Sequence, residues 1–148
     1  MFSPAQSGAN AYARVGVETG VMGANPHKLI VLLYQGARQA ITRARIHLQA
    51  GNVGPRCEAI AKAIRIVESG LQLALNLEAG GEIAQRLNAL YSYMTKRLLE
   101  ANINQSETML VEVDGLLATL EEAWLGIGPE VARMAERASA SAPGSLTR

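Results

Sequence analysis

Residues 55–77, PRCEAIAKAIRIVESGLQLALNL, read as one helix with more apolar surface than a single packing contact requires. At about 100° per residue, Ile60, Ile64, Val67, Leu71 and Ala74 line up as a core-facing stripe. A second stripe, Ala59, Ala63, Ile66, Gly70, Leu73 and Leu77, runs beside it one residue earlier. Together they cover roughly 240° of the helix, where a surface helix usually shows little more than ~100°. Only Glu58, Lys62, Arg65, Ser69, Gln72 and Asn76 keep the remaining face wet. Two readings are open. In one, the helix lies between two neighbours, and Ala59, Ala63 and Gly70 allow close approach. In the other, the second stripe floors a groove where an amphipathic segment of another chain lies on Ile66, Leu73 and Leu77.

Working outward, Asn25-Pro26 is a helix start, with an N-cap oxygen followed by proline at the first helical position. The helix it opens, residues 26–50, places Ile30, Tyr34, Ala37, Ile41, Ala44 and Leu48 on its inner stripe. Gly51, Asn52 and Gly54 then break the chain, and Gly80-Gly81 closes the quoted helix at about residue 78. A third helix over 82–103 has Ile83, Ala84, Leu87, Leu90, Tyr91, Met94, Leu98 and Ala101 in one arc of roughly 120°, enough for one core face. Asn104 and Glu107 have the spacing of a capping box and start a fourth helix over 105–125, with Leu110, Val113, Leu117, Leu120 and Trp124 on its core face. Four helices joined by connections of a few residues predict an all-α fold, an antiparallel up-down-up-down four-helix bundle spanning residues 25–125.

The flanks read differently. Residues 1–24 contain Pro4 and four glycines, which predict a mobile N-terminal arm. Its apolar residues, Tyr12, Val15 and Val17 among them, are suited to capping an apolar groove while no partner is bound. Residues 126–148 open with Gly126 and Gly128. Pro129 is placed to start a short fifth helix through about Ala138, ahead of a disordered tail.

A formal net charge of +1 removes phosphate-backbone attraction as the theme. Cys57 is the single cysteine, so no internal disulfide or multi-cysteine metal site is expected, and it reads as a small core residue. The longest apolar run, residues 29–34, is far short of the ~20 that cross a bilayer. The N-terminus lacks the basic and apolar regions of a cleavable secretion signal, so the chain is expected to remain in the cytoplasm.

Chemistry is sparse. A di-iron bundle needs Glu-x-x-His pairs, and neither His27 nor His47 follows a glutamate at that spacing. His47 could accept a phosphoryl group with Arg43 or Arg45 nearby, as in a histidine phosphotransfer bundle, or simply interact with the carbonyls of its helix end. Glu112, Asp114, Glu121 and Glu122 fall mostly on the solvent side of the fourth helix, and Lys96 and Arg97 on a solvated face that pairs with Glu100. No catalytic residue, metal or cofactor is expected. What remains is a binding protein, with a structural dimerisation module as the alternative.

The chain resembles the FliS family of flagellin export chaperones. The resemblance is carried by Asn25-Pro26-His27-Lys28-Leu29 leading into Leu33-Tyr34-Gln35-Gly36, and by Leu90-Tyr91-Ser92-Tyr93-Met94 with Lys96-Arg97-Leu98. Glu100-Ala101-Asn102-Ile103 and Glu112-Val113-Asp114-Gly115-Leu116-Leu117 with Trp124 complete it, over about residues 12–125. The family often has Ser-Pro at Asn25-Pro26, an acidic residue at Gln35 and Asp at Ser92, and a shorter tail. The resemblance implies a cytoplasmic four-helix bundle that binds the C-terminal segment of flagellin without ATP and prevents its premature polymerisation. It further implies delivery to the flagellar type III export gate, a component of which is a second candidate partner. It also implies that the arm, with Tyr12 at the matching tyrosine, occupies part of the same surface.

Overall fold

The computed structural model describes residues 26–127. They form helix α1 (Pro26–Ala50), helix α2 (Val53–Arg65) running on into a π-helical segment (Ile66–Gln72), helix α3 (Gly81–Asn104) and helix α4 (Glu107–Leu125). No strand occurs among the described residues. The arm and the short fifth helix expected from the sequence lie outside them.

Side-chain bonds give the directions of the helices. Along α1 and α4, Arg38 reaches Asp114 and Glu121 while Arg45 reaches Glu107, so residue numbers rise on one helix as they fall on the other. The same antiparallel register links α2 to α3, through Arg56 with Asn102 and, a helix length away, Gln72 with Asn88. Helix α1 also packs on α2, and α3 on α4, closing a ring of four.

Between them lies one core, in which Tyr34, Ile41, Ile60, Ile66, Val67, Leu71, Met94, Leu98, Leu110, Val113 and Leu117 are fully enclosed. Ala37, Ala40 and Ala44 of α1 and Ala59 and Ala63 of α2 are buried too. Such short side chains let two helix backbones approach closely. Ile64, expected inside, is only half-buried, and Ile83, expected on the core arc of the third helix, is 66% exposed.

The turns follow local chemistry. At the end of α1 the Asn52 amide donates to the His47 carbonyl and the Gly51 amide to that of Leu48, the paired bonds of a Schellman ending. That ending needs a left-handed residue, and Gly51 supplies it at φ 77°. Gln105 does the same job after α3 at φ 51°, without glycine's freedom. The fourth helix starts later than expected. Ser106, not Asn104, is its N-cap, and its hydroxyl accepts from the Met109 amide at 3.2 Å.

The largest departure is in the stretch expected to be one helix over 55–78. It begins at Val53, widens to π geometry at Ile66 and ends with Gln72. The Leu73 amide bonds the Glu68 carbonyl at 2.9 Å, five residues back. Beyond Gln72 the chain is no longer helical, so the stripe's spacing stops governing which side chains face the core, and Leu75 is buried while Leu77 is not. The chain then turns on Asn76, whose side-chain oxygen accepts from the Ala79 amide. Gly81, at φ 59°, opens α3 rather than closing the preceding helix.

Candidate functional site

The second apolar stripe was one candidate for a partner groove, and the structure divides it. Ala59, Ala63, Ile66 and Gly70 are buried, so they do not present an open groove floor. The cause is the position of α2 and its π-segment between α1 on one side and α3 on the other, which uses both stripes as core. Leu73 and Leu77 are different, at 48% and 43% exposed. They lie past the π turn, at the end of the bundle that also carries the start of α1 and the end of α4. Ile83 and Leu125 are exposed at that same end. Tyr12, Val15 and Val17, expected to cap the groove, lie outside the described residues.

The end is braced by a reciprocal clasp. His27 of α1 stacks on Trp124 of α4, with ring centroids 5.8 Å apart and planes 13° from parallel. The Trp124 indole N–H donates to the His27 carbonyl at 3.2 Å, and His27 Nε2 sits 2.8 Å from the Trp124 carbonyl. Two residues 97 positions apart thus tie the first turn of the bundle to its last. Beside the clasp, His27, Lys28, Val31, Leu32, Gln35 and Leu125 line a largely apolar cavity of about 380 Å³.

Polar seams hold the helices in register. Arg38 bonds Asp114 and Glu121, both at 2.9 Å, and these contacts raise its pKa further above its ordinary value. Gln35 donates to Glu121 from the neighbouring turn. On the opposite side Arg97 bridges Glu100 and Glu112, and Tyr93 donates its hydroxyl proton to Glu112. That bond holds the Glu112 carboxyl below its usual range and pushes the Tyr93 phenol up. The carboxylates expected to face solvent are therefore largely structural, since Glu112, Asp114 and Glu121 each bind an arginine of another helix. Inside, the Tyr34 and Tyr91 hydroxyls meet at 2.6 Å, and burial pushes the Tyr34 phenol up to about 12.

His47 is half-buried in the last turn of α1, with Nδ1 3.3 Å from the Asn52 side-chain Nδ2. Cys57 is half-buried, its Sγ 3.5 Å from Asn102 Oδ1. No group of histidine, cysteine and carboxylate side chains able to hold a metal ion occurs among the described residues. No helix among them is long and apolar enough to cross a membrane.

An antiparallel four-helix bundle whose polar side chains serve its seams, and which exposes Leu73, Leu77 and Leu125 at one end, defines a helical protein suited to recognition of other chains. The family described as "Flagellar protein FliS" matches residues 8–131, and the chain belongs to that family. Among its relatives, the flagellar secretion chaperone FliS of Salmonella typhimurium is 48% identical, over 84% of this chain and 92% of the relative. The protein of the same name from Escherichia coli is 39% identical over 81% and 88%. The flagellar secretion chaperone FliSB of Pseudomonas aeruginosa is 41% identical over 78% and 91%. These relatives belong to a chaperone family, which is not an enzyme class.

Proposed function

We propose that this chain is a cytoplasmic flagellar secretion chaperone. It binds the C-terminal segment of flagellin, keeps it from polymerising early and releases it to the export gate. The observation that carries this reading is the match across residues 8–131 to a family whose relatives are named for that role. The physics supports a holdase that works by binding alone. A partner segment that is disordered until it assembles must recover its ordering cost from broad apolar contact. Leu73 and Leu77, with Ile83 beside them in sequence, supply exposed apolar surface where the over-apolar helix outruns the core. The arm residues Tyr12, Val15 and Val17 compete for this surface in the free protein.

Calorimetric titration with a synthetic flagellin C-terminal segment, in the absence of nucleotide, tests the function. Binding should be direct, and Leu73→Asp with Leu77→Asp should weaken it at least ~10-fold, the loss of roughly 1.4 kcal/mol. Circular dichroism should show unchanged helix content. No binding to the unsubstituted chain would overturn the function, whereas full affinity in the folded variant would move the docking surface elsewhere.

A further inference from the structure

The cavity beside the His27–Trp124 clasp is a second apolar surface, on a different face from the π-segment. Its lining comes from two antiparallel helices: His27, Lys28, Val31, Leu32 and Gln35 from the first half of α1, and Leu125 from the end of α4. Lys28, Val31, Leu32 and Gln35 form the i, i+3, i+4, i+7 row that a packed helix needs. Val31 is only 6% exposed, yet it stands outside the contiguous core cluster.

The chain itself brings a fitting segment to this place. It leaves α4 at Leu125, a lining residue, and turns at Gly126. Twenty-one residues, 128–148, follow the last described position. Among them, Val131, Met134, Ala135 and Ala138 repeat the same i, i+3, i+4, i+7 spacing, within an arc of about 100° on a helix. Glu130, Arg133, Glu136 and Arg137 fall on the opposite side. Pro129, just after the glycines, is a residue type suited to a first helical position.

The lengths agree as well. A helix that doubles back from α4 runs parallel to α1, because α1 and α4 are antiparallel. At ~1.5 Å per residue, 131–138 spans about 10 Å, the same as 28–35. The geometry points to residues 129–138 of this chain as the occupant of the cavity, docked as a short fifth helix with Val131 and Met134 against Val31, Leu32 and Leu125. The inference does not depend on which protein the bundle serves.

Disulfide trapping in the full-length chain tests it. Leu32→Cys with Met134→Cys, in a Cys57→Ser background at low micromolar concentration, should form an intrachain disulfide. A control pair with Thr119→Cys in place of Leu32→Cys, on the exposed side of α4, should close at least ~10-fold more slowly. Equal rates for the two pairs, or no bond, would overturn the assignment. An interchain disulfide would give the cavity to a second copy and overturn it too. In the unsubstituted chain, amides of 129–138 should exchange at least ~10-fold more slowly than free peptide, and Val131→Asp with Met134→Asp should abolish that protection. Free-peptide rates in the unsubstituted chain would overturn the docking whatever the cysteines do.

Discussion

Truncating Ile66 and Leu73 to alanine, one at a time, separates core from surface on what looked like a single stripe. Ile66 is 1% exposed within the core cluster, so Ile66→Ala removes three buried carbons at ~0.8 kcal/mol each and leaves part of their volume empty. The expected cost is about 3–4 kcal/mol, a large share of the 5–15 kcal/mol that stabilises a typical domain. Leu73 is half in water already, so Leu73→Ala forfeits about half the transfer energy and creates no cavity, costing roughly 1 kcal/mol. In urea, with a slope near ~1.5 kcal/mol/M for a domain this size, the midpoint should drop by about 2 M for Ile66→Ala and by about 0.7 M for Leu73→Ala. Denaturation followed by circular dichroism and by Trp124 fluorescence, with coinciding transitions, measures both. Equal shifts for the two variants, or an Ile66→Ala cost below ~1 kcal/mol, would refute the burial of Ile66.

Because the Tyr34 phenol is pushed from 10 up to about 12 in the folded state, stability should be full below pH ~10 and fall by roughly 2–3 kcal/mol as pH rises toward 12; spectrophotometric titration alongside thermal melts checks the window. Tyr34→Phe, which removes the hydroxyl that meets Tyr91 at 2.6 Å, should cost about 1–2 kcal/mol, and the double phenylalanine variant less than the sum of the single ones. Ser106→Ala should lose about 1 kcal/mol in chemical denaturation, because the Met109 amide loses its cap, whereas Asn104→Ala should change stability by less than ~0.5 kcal/mol.

Much of the bundle was legible in local pattern. The apolar rows of α1 and α4 place Tyr34, Ile41, Leu110, Val113 and Leu117 inside, where they are found, because a helix's 3.6-residue period is a property of the chain alone. Helix ends were less legible. Asn104 and Ser106 are both good caps by residue type, and the choice fell to Ser106 because Gln105 takes the left-handed conformation that ends α3.

By itself, then, the sequence determined an all-α chain of four amphipathic helices, the excess of apolar surface on the second, and membership in a recognisable family. Only the tertiary structure decided where that excess goes. Ala59, Ala63, Ile66 and Gly70 face neighbouring helices, while Leu73 and Leu77 lie past the end of the π-segment at Gln72 and are left half in water. Periodicity reports which side chains share a face but not how many neighbours press on it, nor that this helix stops at Gln72 rather than at about residue 78. The same limit hid the Tyr34–Tyr91 bond and the His27–Trp124 clasp, whose partners stand 57 and 97 residues apart and meet only when the ring of helices closes.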